Sequence, residues 1–174
     1  MALNEQSEFS KQCLTDALFL LLKHKSFQEI TIKELTEKAG VSRLTFYRNF
    51  DTKEDILKRY YRINFSQYMK NLDETGISSI KGALATCFDY WKNAENHIRL
   101  ILDNHLEYFL YEPFEDFLSI LLQKYQIGTH LKENQIQFLI GGLYFSMIHW
   151  VSDDTTMSSE DMAASILDIL TVQV

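Results

Sequence analysis

The sequence has few of the residues that interrupt helices or crosslink a chain. Its 174 residues include one proline, six glycines and two cysteines. Cys13 and Cys87 lie far apart and match no metal-ligand spacing, so a reduced cytoplasm is the compartment that fits them best. His97 and His105 have acidic neighbours that could suit a metal or a cationic ligand. Their spacing fits no established ligand set, so we expect structural histidines and no metal.

The sequence also lacks a membrane-spanning segment and a signal peptide. The longest apolar run, 138–151, contains Ser146 and His149 and is shorter than the roughly 20 residues that cross a bilayer. Residues 1–9 are polar and acidic, unlike a signal peptide. We therefore expect a cytoplasmic protein with no membrane partner, in which 138–151 is part of a buried helix.

Signatures of catalysis are absent as well. The sequence contains no glycine-rich phosphate loop, no Gly-x-Ser-x-Gly elbow and no His-Glu-x-x-His zinc motif. A di-iron carboxylate protein needs Glu-x-x-His pairs on two helices of a bundle, and this chain has none. We therefore predict no catalytic residue, no metal site and no cofactor.

Apolar residues at helical spacing are what the sequence does contain. Its hydrophobic content is 46%, and the spacing of Leu, Ile and Phe predicts an all-α fold. Long helices are expected over 8–25, 52–72, 79–93, 94–105, 106–125, 132–152 and 158–172. The stripe of the first helix that should pack inward consists of Phe9, Cys13, Ala17, Leu20, Leu21 and His24. Pro113 should kink the helix over 106–125 or begin a new helix after Glu112.

The most informative segment, 31–40, carries signals for both ends of a short helix. Thr31 and Glu34 have the reciprocal spacing of a capping box. Apolar residues follow on one face, namely Ile32, Leu35 and Ala39. Gly40 then supplies the left-handed conformation that a tight turn between helices needs.

A second short helix follows this turn. Val41 can fill the angle between the two helices, and Ser42 can cap the second one. Phe46 and Phe50 form an i,i+4 pair that faces inward. The side chains left facing outward are Arg43, Thr45, Arg48 and Asn49. Because such groups suit base edges and phosphates, the segment predicts a helix-turn-helix with double-stranded DNA as its partner.

The charge distribution agrees with a small DNA-binding module joined to an acidic remainder. The net charge of the chain is −7, but residues 1–70 contain 12 Lys and Arg against 9 Asp and Glu, a net of +3. Residues 71–174 contain 5 against 15, a net of −10. The basic part is the one that contains the helix-turn-helix, as DNA binding requires.

The segment around this motif resembles the TetR family of bacterial transcriptional regulators. The resemblance covers roughly the first third of the chain. It is carried by Phe27, Thr31-Ile32, Leu35, Ala39-Gly40-Val41-Ser42, Tyr47, Phe50 and Lys53-Glu54. Two residues depart from the family pattern, Ser26 where glycine is usual and Phe46 where leucine is more common. Neither belongs to the surface that would face DNA.

The resemblance implies DNA-contacting roles for nine residues. Tyr47 would pack on the sugar-phosphate backbone and Lys53 would pair with a phosphate. Thr31 and Ser42 would meet phosphates at helix N-termini, although Thr31 also serves as a helix cap. The residues that would read bases are Arg43, Leu44, Thr45, Arg48 and Asn49.

The resemblance further implies a homodimer and an effector pocket. Apolar residues on several faces of the last two helices permit a four-helix bundle between two copies, and the interface would comprise Ile140, Leu143, Met147, Trp150, Ile166 and Leu170. A small apolar or aromatic effector would contact Phe88, Trp91, His105, Phe109 and Tyr144. The alternatives are a monomer with a central core helix, and aromatic residues that are plain core.

The sequence thus predicts a TetR-like repressor that binds a palindromic operator as a dimer and is released by an effector. A DNA-binding domain is expected over 1–51, a connecting helix and linker over 52–75, and an effector-binding and dimerisation domain over 76–174. The alternative is an adaptor or activator whose C-terminal domain binds a protein partner. An enclosed apolar cavity among the helices between 79 and 151 would distinguish the two.

Overall fold

The computed structural model describes residues 2–153 and 156–171, with the side chains of these residues except 2–4, 95, 170 and 171. Within these ranges the chain is helical and contains no strand, so the all-α prediction is confirmed. No helix in the described ranges is long and apolar enough to cross a membrane. The helices are α1 (Ala2–Leu22), α2 (Ile32–Ala39), α3 (Arg43–Asn49), α4 (Lys53–Thr75), α5 (Ile80–Asn93), α6 (Glu95–Asp103), α7 (Tyr108–Lys124), α8 (Glu133–Ser152) and α9 (Ser159–Thr171), with a 3-10 turn at Phe27–Glu29.

The predicted helix-turn-helix is present, and its ends are set by the predicted residues. The Thr31 hydroxyl accepts from the backbone N–H of Glu34, while the Glu34 carboxylate accepts from the backbone N–H of Thr31. Gly40 ends α2 with a φ of 69°, in the left-handed region that favours glycine. The Ser42 hydroxyl accepts from the backbone N–H of Thr45 and caps α3.

Of the inward face predicted for α1, Ala17 is buried, Cys13 and Leu21 are half-buried, and the rest is exposed. The buried residues include Leu14, Leu18 and Leu22, whereas Phe9 is 71% exposed and Leu20 is 46% exposed. The sequence over 17–22 is apolar at every position, so the helical period cannot be assigned there. A stripe one position away from the true one therefore fitted the pattern equally well.

Pro113 does not begin a new helix, so that alternative was wrong. Helix α7 begins at Tyr108 and continues through the proline to Lys124. A proline inside a helix lacks the N–H that would bond to the carbonyl four residues earlier. Helix α4 also extends further than expected, to Thr75, and Gly76 follows with a φ of 67°.

The chain forms two compact units, which we call the head and the body. The head comprises Met1–Tyr61 and Leu100–Leu110, and the body comprises Arg62–Arg99 and Tyr111–Val174. The head thus contains the helix-turn-helix and a second segment from much later in the chain. The division at residues 51 and 75 stays a prediction.

Each unit has its own apolar core. In the head, α1 packs on α2 and α3, and the buried residues include Leu14, Leu35, Phe46 and Ile56. In the body, α5 packs on α8 and α9. Aromatic rings dominate the body's core, where Phe65 stacks on Phe117 with 4.6 Å between ring centroids.

Candidate nucleic-acid interface

Helix α3 is anchored by one face and exposed on the other. Phe46 is completely buried and Phe50 is nearly so, and the edge of the Tyr47 ring packs on Phe46 with 5.1 Å between centroids. The predicted DNA-contacting residues on the opposite face are exposed, namely Arg43, Leu44, Tyr47 and Arg48. The helix is therefore held in place and presents two guanidinium groups, a phenol and an apolar side chain to solvent.

The N-termini of α2 and α3 carry exposed hydroxyl groups. Thr31 and Ser42 both act as helix caps. The Ser42 hydroxyl also lies 2.8 Å from the hydroxyl of Thr45. Capping and a phosphate contact are compatible, since an anion at a helix N-terminus is bound largely by backbone N–H groups. The capping roles are observed, and the phosphate contacts stay predictions.

The side chain of Asn49 forms hydrogen bonds within the head. Its Nδ2 donates to the carbonyl of Thr45 at 2.7 Å, and its Oδ1 accepts from the Ser7 hydroxyl at 2.6 Å. This residue was expected to face outward and read a base, but the structure joins it to α1. Ser7 was missed because 42 positions separate the two residues, and no local pattern links them.

Lys53 also has partners within the head. Its Nζ donates to the carbonyls of Phe27 and Ile30 at 2.6 and 2.7 Å, and it lies 4.3 Å from the centroid of the Phe27 ring. Partial burial lowers the pKa of this amine. Because an ammonium has three N–H groups, one remains for the predicted phosphate contact. Lys53 thus fixes the 3-10 turn, and its phosphate contact stays a prediction.

A residue far along the chain also forms a hydrogen bond to this turn. The Oδ1 of Asn104 accepts from the backbone N–H of Phe27 at 2.9 Å. Phe109 places its ring 6.4 Å from that of Phe27. Asn104 lies 77 positions from Phe27, so sequence reasoning had no signal for this contact.

A hollow of about 510 Å³ lies beside α3. Its lining consists of Gln6, Ser7, Phe9, Ser10, Gly40, Val41, Ser42, Thr45, Arg48 and Asn49. These residues come from the first turns of α1, the turn between α2 and α3, and one side of α3. None of these lining residues is acidic. No local pattern in the sequence links the first turns of α1 with this surface.

The five residues predicted to contact an effector are divided between the two units, and their role stays a prediction. His105 and Phe109 belong to the head. Phe88, Trp91 and Tyr144 are buried in the body, where each packs on another ring with centroids 5.3 to 5.6 Å apart. The cavity beside Phe88 has a volume of only about 10 Å³, about enough for one water molecule.

The residues predicted for the dimer interface divide into two groups. Ile140, Met147 and Trp150 are buried within the core of one chain, and their place in an interface stays a prediction. Leu143 and Ile166 line an open, largely apolar groove of about 640 Å³ between α8 and α9. The side chain of Leu170 lies outside the described part.

Several exposed apolar residues of α8 and α9 were not among those predicted for the dimer interface. Phe138 is 83% exposed and Phe145 is 65% exposed. Phe138 lines the groove together with Ile169, which is also exposed. Because α8 is apolar on all sides, its sequence could not show which residues face the core and which face outward.

The N-terminal and C-terminal parts of the chain both match profiles of known protein families. Residues 14–60 match the profile described as bacterial regulatory proteins, tetR family, and residues 78–172 match the profile of a transcriptional regulator C-terminal region. A curated relative, an uncharacterized HTH-type transcriptional regulator of Haemophilus influenzae, is 29% identical over 109 residues. That match covers 56% of this chain and 51% of the relative, so this chain matches about half the length of that protein.

Solved structures share the fold at low sequence identity. Lin0861 of Listeria innocua has a TM-score of 0.80 at 13% identity, covering 95% of this chain and 91% of its own. A TetR transcriptional regulator of Streptococcus agalactiae has a TM-score of 0.69 at 19% identity, covering 98% of both chains. Thermus thermophilus FadR, a TetR family repressor solved with lauroyl-CoA, has a TM-score of 0.59 at 18% identity and covers 92% of both chains. With the C-terminal profile alone matching more than half of the sequence, the chain belongs to the TetR family of bacterial regulatory proteins.

Proposed function

We propose that this regulator binds operator DNA as a homodimer and inserts α3 of each copy into the major groove. The observation that carries the proposal is the exposed face of α3, which is anchored by the buried Phe46 and presents Arg43, Leu44 and Arg48. A rigid helix with donors and an apolar side chain on its free face is suited to reading base edges. The net charge of +3 on residues 1–70 favours the approach of DNA.

Within this complex, bases and phosphates are contacted by different residues. Arg43 holds a guanine through two hydrogen bonds, and the exposed Leu44 lies against a thymine methyl group. Tyr47 packs on the sugar-phosphate backbone, while Thr31 and Ser42 meet phosphates at helix N-termini. The remaining N–H of Lys53 pairs with a phosphate. Arg48 and Thr45 flank this surface, and the internal hydrogen bonds of Asn49 suit it to positioning α3.

The second copy of the chain occupies the groove between α8 and α9. Phe138 projects at the edge of this groove. Around Gly142 there is open space, since a Cβ added there would meet no atom within 4 Å. In a two-fold interface each copy can place its phenylalanine into the other's groove. Burial of these rings supplies the free energy of association.

A two-fold dimer reads two half-sites, so the operator is a palindrome. Occupying a promoter would prevent transcription, and we therefore propose a repressor that acts in the cytoplasm. Selection of duplexes by this protein from a random library tests these points together. An inverted repeat should be enriched, and its affinity should fall with salt at a log-log slope of roughly −5 for about six phosphate contacts. No enrichment, or a slope near zero, would contradict DNA binding.

The tight packing around Phe88 favours the alternative in which the controlling signal is a protein partner, since the larger apolar groove between α8 and α9 is occupied by the second copy in this proposal. The cavity beside Phe88 holds about 10 Å³, whereas sites for small ligands measure roughly 300 Å³ or more. The second candidate is release by a small molecule. It is supported by the likeness to Thermus thermophilus FadR, which was solved with lauroyl-CoA. Such a ligand would have to open the packing around Phe88.

A further inference from the structure

The hollow beside α3 is a preformed feature of the head. Its α1 wall and its α3 wall are joined by the hydrogen bond of 2.6 Å between the Ser7 hydroxyl and Asn49 Oδ1. Asn49 is in turn fixed to the carbonyl of Thr45. On α1, the buried Ser10 donates its hydroxyl to the carbonyl of Gln6 at 2.9 Å. The distance between the two walls is therefore already fixed before a ligand enters this space.

Four side chains that line the hollow are exposed, namely those of Gln6, Phe9, Ser42 and Arg48. Phe9 is 71% exposed, so most of its ring has no part in the head's core. Gln6 and Arg48 are exposed beside it and carry N–H donors. An apolar ring flanked by donors, with no carboxylate among the lining residues, matches a partner that has an apolar surface next to a negative charge. Deoxyribose followed by phosphate has this composition.

The acidic residue nearest to Phe9 in sequence is engaged elsewhere. The carboxylate of Glu8 accepts hydrogen bonds from Lys11 and Arg59. These interactions lower its pKa, and Glu8 does not line the hollow. Its negative charge is therefore partly balanced by two cations of the head itself.

We propose that the hollow is a second DNA-contacting site, which receives the sugar-phosphate strand bordering the groove that α3 enters. The ring of Phe9 covers a deoxyribose, and Gln6 and Arg48 donate to phosphate oxygens. This inference rests on the proposed DNA-binding function and deepens it in two ways. It adds α1 to the interface, and it moves Arg48 from base reading to the strand. Contacts of this kind raise affinity without choosing a base.

The test compares two variants of the hollow with two matched variants on the same helix. Phe9→Ala is paired with Leu20→Ala, since Leu20 is also an exposed apolar residue of α1. It lies 11 residues away, roughly 16 Å along the helix. Gln6→Ala is paired with Gln12→Ala, whose side chain donates to Asp16. The probe is the duplex that the unmodified protein selects from a random library, with an unselected duplex of equal length beside it.

Phe9→Ala and Gln6→Ala should each weaken binding about fivefold, which corresponds to one lost contact. The loss should be equal on both duplexes, and the salt dependence should not change because both residues are neutral. Leu20→Ala and Gln12→Ala should stay within about twofold of the unmodified protein. Hydroxyl-radical footprinting should show deoxyriboses that the unmodified protein protects and Phe9→Ala does not.

Three outcomes would overturn the second site. Both hollow variants could bind as tightly as the unmodified protein, the control variants could lose as much affinity, or Phe9→Ala could lower the unfolding midpoint enough to explain its loss. Failure of the proposed function is a separate result, because the unmodified protein would then select no duplex. A protein that selects a duplex but is insensitive to Phe9 and Gln6 binds DNA through α3 without α1.

Discussion

Asn104 accepts a hydrogen bond from the backbone N–H of Phe27 through its side-chain Oδ1, at 2.9 Å. The backbone carbonyl of Phe27 accepts a hydrogen bond from the Nζ of Lys53. The N–H and the carbonyl of Phe27, in the 3-10 turn, are thus both bound by side chains. One is Asn104, which precedes α7, and the other is Lys53, at the start of α4. The Asn104 side chain is itself held by a hydrogen bond from its Nδ2 to the carbonyl of Leu100. The turn that precedes the helix-turn-helix is therefore held by contacts that α2 and α3 do not provide.

Removing the Asn104 amide should destabilise the protein. Asn104→Ala leaves the partly buried N–H of Phe27 without its acceptor, which should lower the free energy of unfolding by about 1 to 2 kcal/mol. Urea denaturation followed by circular dichroism measures this change. Asn96→Ala, at an exposed position of α6, is the control and should change the free energy by less than about 0.5 kcal/mol. Equal effects of the two variants would show that the hydrogen bond between Asn104 and Phe27 does not contribute to stability.

The capping box of α2 should make stability depend on pH in the acid range. Hydrogen bonds from Lys25 and Thr31 lower the pKa of Glu34 from its usual 4.5 to about 2. The unfolded chain therefore binds more protons between these values, so the stabilisation is complete above pH 4.5 and is lost as the pH falls towards 2. As the pH falls through this range, the urea concentration at the unfolding midpoint should decrease less for Glu34→Gln than for the unmodified protein. The same pH dependence in both proteins would show that Glu34 is not its source.

Two variants of the head should distinguish a residue that positions the protein on DNA from a residue that reads a base. Arg43→Ala should cost about 1 to 3 kcal/mol on the selected duplex and relax the preference at one base pair. Lys53→Ala should weaken binding to all duplexes about equally, and it should also lower the free energy of unfolding because Phe27 and Ile30 lose a hydrogen-bond donor. Competition assays with single-base variants of the duplex measure both effects. A uniform loss in Arg43→Ala would remove its base-reading role.

Dimerisation is best tested at the exposed phenylalanines. Phe138→Asp and Phe145→Asp should each place an unpaired charge in the interface at a cost of several kcal/mol, and the folded monomer should remain intact. Sedimentation should give a monomer, with most of the operator affinity lost. Ile120→Asp, at an exposed position of α7, should remain a dimer. Leu143→Lys and Ile166→Glu are poorer tests because both residues are largely buried within one chain.

The tight packing around Phe88 predicts a weak response to acyl-CoA. Addition of lauroyl-CoA should change operator affinity by less than about twofold, whereas effectors coupled to a second site typically contribute 1 to 3 kcal/mol. Fluorescence anisotropy of the labelled duplex measures the response. A larger release of DNA would show that the core around Phe88 opens, and it would restore the effector model over the protein-partner model.

The helix-turn-helix could be predicted because its determinants are local. The capping box spans Thr31 to Glu34, and Gly40 and Ser42 set the turn through their own backbone and side-chain preferences. The exposed face of α3 then followed from the inward pair of Phe46 and Phe50. Each of these features lies within a few residues of its partner, so the sequence displays it directly.

Two kinds of feature could not be predicted. Helices α1 and α8 have apolar residues on many sides, so their packing faces depend on neighbours rather than on their own period. Contacts between distant residues, such as Ser7 with Asn49 and Asn104 with Phe27, leave no mark in a single sequence. These two limits account for the partly wrong stripe in α1 and for the long-range contacts and exposed residues of α8 that were not predicted.

The segment Leu100–Leu110 gives the head a particular folding order. The helix-turn-helix and Lys53 are synthesised well before Asn104, so the N–H of Phe27 has no acceptor from Asn104 during that interval. Closing this contact joins residues 77 positions apart, which favours late completion of the head. A nascent chain that ends at residue 75 would contain all nine residues predicted to touch DNA, yet its 3-10 turn would be held from one side alone. The hydrogen bond between Asn104 and Phe27 can thus form only after synthesis has passed the end of α6.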